Sequence, residues 1–160
     1  MPKVSRESAS QVTDLGVAED RTQELDGYTV NFVSVRQDQD LAPMLSGLPG
    51  GRCPCPHWGY LFKGEMTVRY ADHEEVITAG EAFYLSPGHV PAGTAGTEFL
   101  QFSPSDQLQP VVAQIAQRMQ QMHGAWGGAA GQPARASAAQ PLVWSLSHWP
   151  GRSDLPATGH

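Results

Sequence analysis

The sequence predicts an all-β protein, an antiparallel sandwich or barrel with one C-terminal helix packed on it. Three observations point there. Between Tyr28 and Phe102, short runs of alternating apolar and polar residues are punctuated by Gly and Pro. Within them, Cys53-Pro54-Cys55-Pro56-His57-Trp58-Gly59-Tyr60 sets two thiols and an imidazole on alternate residues and runs into a turn at Lys63-Gly64. After Ser103-Pro104 the apolar period becomes helical.

The chain has 160 residues, enough for one domain with a real core. Charged residues are 16% and hydrophobic ones 40%, as in a globular protein. A net charge of -6 argues against a nucleic-acid groove or an anionic membrane surface as partner. No apolar run is long enough to span a bilayer, and the N-terminal residues lack the apolar segment of a signal peptide, so the expected compartment is the cytoplasm.

Residues 1–27 are polar and aperiodic, and read as an arm or an edge strand. Residues 28–104 read as the β domain. Tyr28, Val30 and Phe32 alternate with Thr29 and Asn31, and the switch to Val33 and Val35 suggests a bulge. Residues 38–51 form a Pro/Gly-rich loop, with Leu41, Met44, Leu45 and Leu48 as anchors; its length suits a lid or a dimer contact. Trp58, Tyr60 and Phe62 oppose His57, Gly59 and Leu61, and Gly64 turns the chain. Met66, Val68 and Tyr70 then alternate with Glu65, Thr67 and Arg69. Ala71-Asp72-His73-Glu74 is a hairpin tip, Ala82–Leu85 a strand ended by Ser86-Pro87-Gly88, and Glu98, Leu100 and Phe102 share one face of the last strand.

Ser103-Pro104 reads as an N-cap and first helical position for a helix over 105–123, with Pro110 dividing it and Gly124 ending it. Leu108, Val111, Val112, Ile115, Met119 and Met122 mark its apolar stripe. Residues 124–160 read as a Gly/Ala/Pro-rich linker and a tail carrying Trp144 and Trp149.

Alternate residues of an extended strand point to one face, so Cys53, Cys55 and His57 are candidates to converge on a metal such as Zn, Cu, Ni or Fe. Two cysteines separated by one residue make a strained disulfide, so they are expected as thiols. Buried structural cysteines are the plainer alternative, and the nearby imidazole tips the balance toward metal.

From Cys53 to about Phe102 the chain resembles a small single-domain cupin. The Gly64 turn and Gly80-Glu81-Ala82-Phe83-Tyr84-Leu85-Ser86-Pro87-Gly88-His89 match that family's scaffold. The resemblance implies a jelly-roll barrel with a metal or small ligand in its mouth. The family's three-histidine-plus-glutamate set is absent. Counting back six residues from Gly64 puts His57 at the glutamate position, and Pro91 stands at the usual histidine position, with His89 two residues earlier. The replacement set is His57 and His89 with Cys53, Cys55 or both, holding one divalent transition-metal ion: Fe, Ni or Zn.

Tyr60 and Glu98 are the candidate catalytic groups, one to orient a substrate, the other as a base or further ligand. Tyr60 lies on the face opposite His57 in a regular strand, which favours outer packing. Glu98 is read as inward. His73, His123, His148 and His160 read as surface residues.

The resemblance implies a mononuclear metal enzyme acting on a small polar metabolite, most simply an oxygenase. The alternatives are a zinc-dependent lyase or isomerase, a non-catalytic metal or ligand-binding barrel, and a redox-responsive thiol pair. Many cupins are dimers, and the Trp and Leu residues of the tail would suit a homodimer.

Overall fold

The computed structural model describes residues 2–126 of the chain. Ten strands form two antiparallel sheets. In order they are β1 (Gln11–Asp14), β2 (Ala18–Leu25), β3 (Tyr28–Val35), β4 (Gln39–Asp40), β5 (His57–Lys63), β6 (Glu65–Arg69), β7 (Glu74–Thr78), β8 (Ala82–Leu85), β9 (Val90–Gly93) and β10 (Glu98–Pro104). One sheet runs β1-β2-β3-β10-β5-β8 and the other β4-β9-β6-β7. With β1 and β2 set aside, these are two interleaved four-strand sheets whose neighbours alternate early and late strands, the order of a jelly roll. The two sheets face each other across a shared core without closing into a barrel.

One core cluster lies between the sheets: Leu61, Phe83 and Leu85 from one meet Met66, Val68 and Ile77 from the other. The second lies beside the site, where Leu45 of α1 (Ala42–Leu45) and Leu108 and Val111 of α2 (Ser105–Trp126) pack with Cys53, Cys55 and Val90. The segment 38–51 is therefore tied to the body of the protein. Leu41 and Leu48 pack on the same cluster as Leu45, and α1 lies against α2.

Several expectations change. For residues 11–25 the edge-strand alternative holds rather than the arm: β1 and β2 extend the larger sheet at its edge, β2 pairing with β3 along its whole length. β3 carries no bulge. Its register with β2 and β10 is continuous, and Val30 and Val35 are both buried because the strand is covered on each face. The register shift falls instead at Glu98/Phe99, between β10 and β5. Ser103 and Pro104 finish β10 rather than start the helix.

Pro110 lies inside one continuous helix. It sits near the helix start, so its missing N–H leaves only the Asp106 carbonyl without its usual partner, and burial of Leu108 and Val111 on either side holds the turn. The helix also passes Gly124 to reach Trp126. The linker and tail expected from residue 127 onward, with His148 and His160, lie outside the described residues, as does the side chain of His123. No helix among the described residues is long and apolar enough to cross a membrane.

Candidate metal centre

β5 sets the centre's geometry. Its inward row is His57, Gly59 and Leu61, and its outward row Trp58, Tyr60 and Phe62. Gly59 is required by close packing: a Cβ there would come within 2.2 Å of Phe83 Cζ and 2.4 Å of the Leu100 carbonyl oxygen. Just before β5, prolines 54 and 56 keep the chain extended without ladder donors. Cys53 is there bridged to the segment ahead of β9. Its N–H donates to the His89 carbonyl (2.9 Å), and the Gly88 N–H donates to its own carbonyl (2.7 Å). Gly88, at φ +98°, supplies the left-handed turn that delivers His89 to this bridge.

Cys53, His57 and His89 thus converge, with one potential ligand atom from each lying within 4.8 Å of the others. They are 3%, 6% and 0% exposed. Cys53 Sγ is 3.5 Å from His57 Nε2, and the two imidazoles meet edge-on with centroids 5.0 Å apart. In a tetrahedral site with Zn–S and Zn–N bonds of about 2.3 and 2.1 Å, S and N stand about 3.6 Å apart, so that pair already has the spacing of two ligands.

The tautomer of His89 follows from its partner. His89 Nδ1 is 2.7 Å from the Ser86 carbonyl oxygen. A carbonyl only accepts, so Nδ1 carries the proton and Nε2 keeps a bare lone pair. That Nε2 is buried and has no partner. An orphaned acceptor in a buried site is costly unless something binds it. His57 Nδ1 is 2.7 Å from Ser103 Oγ. With that nitrogen protonated and donating to the hydroxyl, His57 Nε2 is bare too, as a metal-bound histidine requires.

Electrostatics agree. Burial, and secondarily the neighbouring His89, drives His57 down to about 3, and burial also lowers His89. Both rings are therefore neutral near pH 7. Burial pushes the Cys53 thiol up, so it stays protonated until a cation displaces its proton. The sequence Cys53–His57–Ser103 also has the order of nucleophile, base and orienting group. An activated nucleophile needs a lowered thiol pKa and access, and Cys53 has neither. The donor set, its burial and its orphaned nitrogen fit a metal ion better than a covalent intermediate.

The remaining candidates lie elsewhere. Cys55 is fully buried with its Sγ 3.5 Å from the Pro56 carbonyl, among the apolar residues of the α1/α2 cluster, and burial lifts it to about 12. It is not in the converging group. Glu98 faces outward, a correction to the inward reading: the inner row of β10 is Phe99, Gln101 and Ser103. Its carboxylate pairs with Lys63 (3.1 Å) and Arg6 (3.2 Å), which hold it below the usual carboxylate range. Tyr60 is on the outer face, away from the donors, so its proposed part in orienting a substrate has no structural basis. His73 is exposed as expected, stacked on Tyr70 and bonded to Asp72. Sequence reasoning missed Ser103, taken for a helix cap; its parity with Phe99 along β10 was the available signal.

No protein-family model matches the chain, and no curated protein matches it. Solved structures do. An RmlC-like cupin from Shewanella frigidimarina is 18% identical over 65% of this chain and 92% of that one (TM-score 0.45). A protein of unknown function from Rhizobium leguminosarum is 16% identical over 64% and 94% (TM-score 0.48). The polyketide cyclase RemF from Streptomyces resistomycificus is 16% identical over 66% and 80% (TM-score 0.47).

Proposed function

We propose that this protein is a metal-dependent enzyme acting on a small polar metabolite, with Cys53, His57 and His89 holding one divalent transition-metal ion. The observation that carries the reading is the buried, unpartnered Nε2 of His89, held in its ligating tautomer by the Ser86 carbonyl. Two imidazoles and one thiol form a borderline-soft set that suits Zn best among Fe, Ni and Zn. Three protein donors leave a coordination position free, and a bound ion would supply Lewis-acid polarisation of a substrate oxygen there, the chemistry of a lyase or isomerase.

The chain's own residues do the rest. Ser103 and Ser86 fix the two rings, so neither has to reorient on binding. Near-complete burial of the donors excludes bulk water from the ion. Cys53 gives up its proton when the ion binds, which supplies the one anionic donor.

Oxygenase chemistry is the second reading. Two imidazoles and one anionic donor match the donor count of two-histidine, one-carboxylate iron sites, with thiolate in place of carboxylate. Glu98, the residue expected to supply a carboxylate, is committed to Lys63 and Arg6 on the outer face. A thiol beside a redox metal and oxygen is itself exposed to oxidation, which ranks this reading below the first.

The test is elemental analysis of protein purified anaerobically without chelators, beside His57→Ala and His89→Ala. Near-stoichiometric Zn lost in both variants supports the Lewis-acid reading, and Fe or Ni lost in both supports the oxygenase. A wild-type protein that takes up no ion, even on reconstitution, refutes the metal-dependent function.

A further inference from the structure

A buried acceptor and a carboxylate near the metal donors have no part in holding the ion. Asn31 is 6% exposed, and its Nδ2 donates to both oxygens of Asp20 (3.1 and 2.9 Å). A carboxylate only accepts, so the amide nitrogen faces it and Asn31 Oδ1 is turned away. That oxygen is buried without a partner. Asp20 is partly buried on β2, and no described lysine or arginine pairs with it. Burial raises its carboxyl, offset only by the side chains of Asn31 and Thr22. A buried acceptor and a desolvated anion both cost stability unless something pairs with them.

The register places this pair inside the sandwich. Thr22, Asn31, Gln101 and Gly59 form one row across β2, β3, β10 and β5, and Asp20, Val33 and Phe99 belong to the next. Gly59 faces inward with His57, so the row of Asn31 lies one side-chain repeat, about 7 Å, from the row of His57 and Ser103. The sheet that carries the chain on from His89 covers it: a Cβ on Gly93 of β9 would lie 3.5 Å from Val35, on the same face of β3 as Asn31. Gln101 is only partly buried although it faces inward, so solvent reaches this row, and its amide bonds no described residue. The ionisable groups on this face of β2 are Asp20 and Glu24, both acidic. Arg6, Arg21 and Arg36 lie on the outer face with Glu19 and Ser34.

We propose that Asp20, Thr22, Asn31 and Gln101 bind the protonated amine of the substrate, which makes that substrate a small hydroxylated amine with its oxygen toward the metal centre. An ammonium has three donors and no acceptor, which matches a carboxylate, an amide oxygen and a hydroxyl. Its charge offsets the desolvation of Asp20, and the same carboxylate repels a phosphate or a second carboxylate. The substrate role rests on the metal-enzyme reading above, whereas the binding of an amine is tested with and without the ion.

The experiment compares three probes of similar size that differ in charge at one end: aminopropanediol, glycerol and glycerate. Each is titrated to about 100 mM, the range expected of so few atoms, into the isotope-labelled full chain with and without Zn. The amine is expected to move the side-chain amide signals of Asn31 and Gln101 and to bind about tenfold more tightly than glycerol, the effect of one charge-assisted contact. Glycerate leaves those signals in place, and Asp20→Asn brings the amine down to the affinity of glycerol. If that variant misfolds, the wild-type signals and the order of the three probes decide alone. Equal binding of amine and glycerol, binding of glycerate, or an amine preference that survives Asp20→Asn overturns the inference. So does an amine that moves neither amide signal. Amide shifts in a protein that takes up no ion would refute the metal reading and keep the amine subsite; a bound ion with both signals unmoved would do the reverse.

Discussion

Replacing Ser103 by Ala tests the reasoning about the centre more sharply than removing a ligand, because it leaves all three donors in place. The hydroxyl sits 2.7 Å from His57 Nδ1 and is fully buried, so water cannot take its place. In the metal-free protein, an imidazole nitrogen left unpaired at a buried site costs about 1–3 kcal/mol. In the loaded protein, losing the partner that fixes a ligating imidazole lowers metal affinity about 10–100-fold, or about 1.4–2.7 kcal/mol. The first quantity is read from the urea midpoint at unchanged m, the second from competition against a chromophoric chelator. Ser105→Ala is the control. That serine is also buried, but its hydroxyl bonds Thr29 (2.8 Å) and not the imidazole. It should lose comparable stability and keep full metal affinity. Ser103→Ala with stability reduced and metal affinity within twofold of wild type would refute the argument that Ser103 holds the His57 ring in its ligating orientation.

The other predictions concern neighbouring features. In the cobalt-substituted protein, the thiolate-to-metal charge-transfer band persists in Cys55→Ser and disappears in Cys53→Ser; the reverse pattern would move the centre to the other cysteine. Gly59→Ala destabilises the fold by about 1–3 kcal/mol, because its Cβ meets both a ring and a carbonyl oxygen, and a thermal melt unchanged from wild type would contradict this. Burial raises the Asp20 carboxyl, an effect only partly offset by bonds from Asn31 and Thr22. A carboxyl raised in the folded state binds its proton more tightly there than in the unfolded chain. Stability is therefore lost as pH climbs from the unfolded value of about 4 through the folded one. Asp20→Asn removes that loss, so urea midpoints taken from pH 3.5 to 7 should show wild type falling relative to the variant as pH rises. A constant difference would refute the burial argument.

The run of strands from β5 to β8 could be read from residues alone, because Gly64, Gly80 and Pro87-Gly88 mark turns whose chemistry is local. Parity in an extended segment pointed to Cys53, Cys55 and His57 alike, and the scaffold resemblance to His89; the structure gathers Cys53, His57 and His89 and turns Cys55 into the apolar cluster. Glu98 was misplaced for a physical reason. On this sheet the usual contrast is inverted: the outward row of β5 is Trp58, Tyr60 and Phe62, while the inward row holds His57 and Gly59. Leu100 and Phe102 on β10 likewise made the outward face look like the core, and they carried Glu98 inward with them. Ser103 was hidden because Ser-Pro before a helical period is a strong capping signal, and only the pairing of β10 with β3 and β5 shows that the strand continues through it. The strands β1 and β2 left no apolar alternation to read, since β1 is an exposed edge strand and β2 beside it carries mostly polar, part-buried residues.

The backbone bridge between Cys53 and His89 has a consequence for how an ion would come and go. Small zinc modules fold around their metal, so a chelator unfolds them and loading waits on the chain. Here two main-chain hydrogen bonds already join the segments that carry the donors, and two apolar clusters flank them. Little chain entropy is left to lose when an ion arrives. Its arrival would then be timed by shedding hydration water and the Cys53 proton, and its departure would leave the scaffold standing, ready to be refilled.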